Sequence, residues 1–458
     1  MTRTEAAVGD EDRTARSGRT SSRGRTASRP ARRRALVAAL AIAGMGLAAC
    51  GGGSGGGPST LTWYTNPDNG GQARLAEKCT KEAGGRYSIV TQGLPTAADQ
   101  QREQLVRRLA AKDSSIDLMS LDPPFTAEFA NAGYLYEFSE AERAEFTEGV
   151  LDAPIEAAEF KGKLVAAPFW ANTQLLWYRK SVAEAAGVDP TAEDFTWEQM
   201  IEAADAQEKT IGVQALRYEG YMVWINALVD SAGGQILEDS AAGADAVPSL
   251  ESASGEAAAE VIGDLARSKA AVAGIATADE EAARVAFQSD SGGFMVNWPY
   301  IWQAANAEVD AGGLDKAVVD DIGWARYPRV DAGTPSAPPL GGINLAIGAY
   351  SDDQRAAVDA ARCITSTENK TVYMLDSGNP SAASASYDDP EVVEAFPMAS
   401  LIRESIDDAG PRPITPFYTD VTTSVQRTWH PPGSVNPDST PAEADSLITQ
   451  VLDGEVLL

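Results

Sequence analysis

The chain has 458 residues, 44% of them hydrophobic, with 66 Asp and Glu against 37 Lys and Arg and a formal net charge of −29. That acidity argues against nucleic acid or an anionic membrane surface as partner, and it names no ligand by itself. The single histidine, His430, followed by two prolines, argues against a histidine-based triad and excludes a multi-histidine metal site.

Residues 1–34 are rich in Arg, Ser and Thr and end in Arg32-Arg33-Arg34, and an apolar run follows from Ala35 to Ala49. The run has the length of a signal-peptide core and falls short of the roughly 20 residues a membrane span needs. It closes on Leu47-Ala48-Ala49-Cys50, small residues before a cysteine, which resembles the lipobox at which bacterial lipoproteins are acylated and cut. The expectation is a signal peptide over 1–49, a lipidated Cys50 and an extracytoplasmic protein anchored to the cell membrane. An ordinary signal peptide with a chance cysteine is the alternative, and the arginine pairs leave Sec and Tat export both open. Gly51 to Gly57, interrupted by Ser54 and followed by Pro58, reads as a flexible tether. No Gly-Lys-Ser/Thr follows it, so it is not a phosphate loop. Residues 1–49 hold ten Arg and four acids, so the remainder is more acidic still, near −35.

From Ser59 onward about 400 residues remain, more than one core commonly serves, which predicts two lobes. Leu61 to Thr65 reads as a strand closed by the turn cluster Asn66-Pro67-Asp68-Asn69-Gly70. A helix is predicted from Gln72 to about Ala83, a short strand around Tyr87, Ile89 and Thr91, and a helix from Ala98 to Lys112 with Leu105, Val106 and Leu109 on one face. Ile116 to Leu121 reads as a buried strand broken by Asp122-Pro123-Pro124. This order implies an α/β fold with a parallel sheet, in which ligands sit at the carboxyl ends of strands. Asn66 to Gly70 and Asp122 therefore belong to one rim. Cys79 and Cys363 can pair in an oxidising compartment or remain two buried thiols.

Further along, Thr126 to Ala130, Ala132-Gly133-Tyr134-Leu135, Lys161 to Pro168, Asn172 to Arg179, Asn297-Trp298-Pro299 and Gly341 to Ile347 occur in an order and spacing similar to family-1 extracellular solute-binding proteins of ABC sugar importers. The likeness spans nearly all of residues 60–455. Within that family it resembles the trehalose-binding lipoproteins of mycobacterial importers through Asn172 to Arg179, Arg412-Pro413 with Thr415-Pro416, and the pair Cys79 and Cys363. The turn after Thr65, Trp170 before Asn172, and a short segment between Trp324 and Gly341 depart from the pattern and leave the disaccharide open. The resemblance implies a two-lobed, maltose-binding-protein-like type II fold with a cleft between the lobes. It also implies an actinobacterial source, a disaccharide ligand with trehalose first, ABC permease subunits as partners, no cofactor and no catalysis, in a monomer. The lobes are expected at 59–169 with 343–378 and at 175–340 with 379–458, crossing near Pro168, Gly341 and Gly378-Asn379-Pro380.

Sugars present paired hydroxyls to planar polar groups and C–H faces to aromatic rings. The expected ligand set is Asn69, Asp122, Asn172, Glu219, Trp298, Gly342, Arg412 and Tyr418. Asp122 follows a strand end, Asn172 follows the first crossing, and Glu219 precedes a helix containing Trp224. Trp298 follows the strand Gly293 to Asn297 as a stacking platform, Gly342 admits backbone N–H groups close to a ligand, and Arg412 lies in the stiff Pro411-Arg412-Pro413. Trp170 is a weaker candidate, and Trp63 and Trp177 are expected in the core. A secreted glycan-cleaving enzyme with an Asp/Glu pair, and a sugar sensor without a permease, are the rival readings.

Overall fold

The structure, a computed structural model, describes residues 59–458. The expected signal peptide, Cys50 and the glycine tether lie outside the described residues. Two sheets organise the chain. The first contains β1 (Ser59–Thr65), β2 (Tyr87–Gly93), β3 (Leu118–Leu121) and β4 (Ala167–Asn172). The second contains β5 (Leu175–Arg179), β6 (Thr210–Gly212), β7 (Gly292–Asn297) and β8 (Ile322–Ala325). The chain then returns to the first sheet as β9 (Gly341–Ile347). The strand orders are β2-β1-β3-β9-β4 and β8-β5-β7-β6. Each sheet organises one lobe.

The first three strands follow the expected β-α-β-α-β order, and β1 pairs in parallel with both β2 and β3. The sheet is nevertheless mixed rather than parallel throughout. β9 arrives after the whole second sheet has been built and lies antiparallel between β3 and β4.

Local chemistry accounts for the boundaries. Asp68 Oδ1 accepts from the Gly70 N–H at 2.9 Å and Oδ2 from the Gln72 N–H at 2.8 Å, so this side chain starts the helix Gly71–Glu82. That helix turns Leu75, Ala76 and Cys79 inward. β3 is buried at all four positions and stops where Pro123 and Pro124 can donate no N–H. Trp63 and Trp177 are fully buried, and each satisfies its indole N–H, on Ser120 Oγ at 3.1 Å and on the Asn297 carbonyl at 2.9 Å. A disulfide joins Cys79 of this helix to Cys363 of the helix Gln354–Ile364, closing a separation of 284 residues in sequence.

The lobes meet at adjacent strands. β4 leads into β5, β9 leads back, and Gly341 pairs with Asn172. The segment after the helix Thr367–Ser377 runs beside them, with the Ala171 N–H on the Pro380 carbonyl at 3.1 Å. A shared apolar cluster lies under this junction and joins Leu151 and Ala171 to Trp177, Ile301 and Ile402. Among the described residues no helix is long and apolar enough to cross a membrane.

Candidate ligand-binding cleft

A cavity of about 1060 Å³ opens between the lobes. Its first-lobe wall comes from strand ends. The turn after β1 supplies Asn66, Asp68 and Asn69, β3 supplies Asp122, and β4 supplies Trp170 and Asn172. Its second-lobe wall comes from helix starts and the end of β7, with Glu219, Glu280, Trp298 and Tyr300, and Arg412 completes it. Gly341 and Gly342 form the floor between the two walls.

Arg412 is the centre of the polar network. Its side chain is 3% exposed and donates to Asp122 Oδ1 at 2.8 Å and to Glu219 Oε1 at 2.6 Å. Thr422 Oγ1 donates to the other Glu219 oxygen at 3.0 Å. Burial opposes all three charges. It raises the Asp122 and Glu219 carboxyls, and Arg412 pulls both back. For Arg412 the neighbouring negative charge outweighs burial and holds the guanidinium protonated. The result is a triad in which one cation is shared by two carboxylates through both terminal nitrogens of the arginine.

The floor is glycine for steric reasons. A Cβ on Gly341 would lie 2.8 Å from Trp298 Cη2, so the missing side chain is the seat of the indole. Gly342 has φ +121°, and a Cβ there would stand 2.3 Å from the Trp170 carbonyl. This is next to the register shift between β9 and β4.

The expected residues divide by position. Asp122, Asn172, Glu219, Trp298, Gly342 and Arg412 share the cleft wall, with Trp170 beside them. Asn69 lies on the exposed rim and donates to the Asp376 carbonyl at 2.8 Å. Tyr418 requires a correction. It is fully buried and sits behind the wall, with its hydroxyl donating to Glu219 Oε1, because the helix Tyr418–Trp429 packs its first turn inward. Sequence reasoning missed Asp68, Tyr218, Glu280 and Tyr300. Asp68 stood in the quoted turn cluster, and Tyr218 adjoins Glu219. Glu280 and Tyr300 open helices, and no local signal set them apart.

Polar atoms without partners are informative here. Asn66 Oδ1, Trp170 Nε1 and Arg412 Nε are buried with no hydrogen bond, and all three residues line the cleft. They are an acceptor and two donors. Burial without a partner is costly, so these three groups mark where the cleft wall is under-satisfied. Among the described residues no group of three or more His, Cys, Asp or Glu is placed to hold a metal ion.

Two α/β lobes flanking a polar cleft, joined by adjacent strands, define a type II binding-protein fold. The chain belongs to the family described as bacterial extracellular solute-binding protein, which matches residues 74–398. A probable ABC transporter-binding protein of Deinococcus radiodurans is 28% identical over 357 residues, 74% of this chain and 79% of that protein. Maltose-bound MalE3 of T. maritima superposes with a TM-score of 0.75 at 24% identity, over 87% of this chain and 100% of that one. The GacH receptor of Streptomyces glaucescens, solved unliganded and with acarbose, gives 0.73 at 20% identity, over 86% and 100%. UgpB of Mycobacterium tuberculosis, in complex with glycerophosphocholine, gives 0.70 at 16% identity, over 88% and 100%.

Proposed function

We propose that this protein is the substrate-binding component of an ABC importer, held outside the cell membrane by a lipid on Cys50, and that it delivers an uncharged disaccharide to the permease. The observation that carries the ligand class is the cleft wall. Polar side chains such as Asn66, Asp68, Asn172 and Glu280 line it beside an indole seated on glycine, which suits hydroxyls and a C–H face. Arg412 is already committed to Asp122 and Glu219, which disfavours a phosphate ester. The same commitment disfavours hydrolysis, since both carboxylates are held on one guanidinium rather than set apart across a scissile bond.

Trehalose is the first ligand to test, on the resemblance of Asn172 to Arg179, Asn297 to Pro299 and Gly341 to Ala346 to trehalose-binding lipoproteins. The working unit is a monomer. We assign the lobes to 59–169 with 343–378 and to 175–340 with 379–458, hinged at the strand junction. Titration calorimetry with trehalose, maltose and sucrose tests the reading, and heat from at least one of them is expected. Absence of binding to all three refutes the ligand class. Asp122→Ala and Trp298→Ala are each expected to weaken binding by at least about 1.5 kcal/mol.

A further inference from the structure

Three contacts cross between the lobes along one flank of the cleft, and each side draws them from a short stretch of chain. Asp122 accepts from Arg412 at 2.8 Å. The Phe125 ring stands edge-on to Tyr418, with centroids 5.4 Å apart and planes at 80°. Thr419 Oγ1 donates to Glu128 Oε2 at 2.8 Å, and Arg102 Nε holds the same carboxylate from behind at 3.0 Å. The first-lobe partners follow β3 directly, on the turn Pro123–Phe125 and the helix Thr126–Asn131. The second-lobe partners lie at Arg412 and on the first turn of the helix Tyr418–Trp429.

Tyr418 belongs to both systems. Its ring edge meets Phe125 across the lobe boundary, and its hydroxyl donates to the cleft carboxylate Glu219. Separating the lobes along this flank removes Phe125 from the ring and Asp122 from Arg412 together. Glu219 then loses the fixed geometry of two of its donors. An affinity that depends on a closed, ordered cleft scales with the fraction of molecules in that state.

We infer that Tyr418 is a positioning residue coupling lobe closure to the orientation of Glu219, and that this seam sets how far the empty protein is closed. The inference rests on the ligand-binding reading above, but half of its test does not. Spin labels at Ala110→Cys and Glu256→Cys, one exposed position in each lobe, report the inter-lobe distance without ligand, with the Cys79–Cys363 disulfide intact. Calorimetry with trehalose and maltose reports affinity.

Phe125→Ala and Thr419→Val are expected to lengthen the ligand-free distance. Phe125→Ala also weakens sugar binding about tenfold. Tyr418→Phe keeps the ring and the wild-type distance, yet weakens binding about tenfold through loss of the hydroxyl on Glu219. An unchanged distance in both seam variants overturns the seam. Wild-type affinity in Tyr418→Phe overturns the coupling. If the wild type binds no sugar, the ligand reading has failed, and the distance measurement alone decides the seam.

Discussion

The Arg412 guanidinium reaches across the lobe boundary to Asp122 while its other terminal nitrogen is held by Glu219, so one buried cation is shared by a carboxylate from each wall. Removing it leaves two buried acids face to face. Arg412→Ala is expected to cost about 3–5 kcal/mol of stability, because an uncompensated buried charge is far more expensive than the pair. With the cation gone, both carboxyls bind protons more tightly when folded than when unfolded. The deficit is therefore larger at pH 8 than at pH 5. Urea unfolding at both pH values measures it, and equal deficits would show that the carboxylates escape to solvent.

The glycine floor yields a size test. Gly341→Ala puts a methyl 2.8 Å from Trp298 Cη2 and must displace the indole. Sugar affinity should fall about tenfold, the loss of a stacking face, with little change in melting temperature. Gly342→Ala meets the backbone at Trp170 with φ at +121° and should lower the melting temperature as well.

Asp230 predicts a pH dependence unrelated to the ligand. It lies at the C-terminal end of the helix Glu219–Ser231, accepts from Asn226 Nδ2 at 2.8 Å, and has Gly410 packed over it. Burial pushes its carboxyl up to about 8, with Asn226 opposing the rise. The folded state thus keeps a proton that the unfolded chain releases. Its contribution is full below about pH 4 and is lost as pH rises through 8. Asp230→Asn should flatten that window and be more stable than the parent at pH 9 by about 1–3 kcal/mol. A parallel loss in both proteins would assign the titration elsewhere.

The disulfide closes a separation of 284 residues, so its effect on the unfolded chain is large. Cys79→Ser with Cys363→Ser is expected to cost about 4–5 kcal/mol on the chain-entropy argument. Denaturant unfolding of the double variant against the parent checks it. A loss below about 1 kcal/mol would mean that the reduced chain is already held compact.

What could be read from the sequence was what local chemistry controls. The turn at Asn66 to Gly70 and the proline stop after Asp122 mark strand ends, and strand ends in an α/β sheet share a rim. Trp63 and Trp177 sit in strands of β-formers and pack into the cores. The antiparallel entry of β9 was hidden, since its neighbours β3 and β4 are separated from it by the entire second sheet. Depth was hidden too. Tyr418 and Glu219 are 199 residues apart, and nothing in either segment says which one faces the cleft and which stands behind it. Glu280 and Tyr300 gain their place from the approach of two helix starts, which no spacing within the chain encodes.

Asn172, Gly341 and Gly342 lie on the paired strands about which the lobes would turn. Points near a rotation axis travel least. A guest entering between the lobes would thus find these groups displaced least, whereas Asp122 and Glu219 belong to opposite walls. On the binding reading proposed above, recognition would begin at the pivot and be completed by the outer groups.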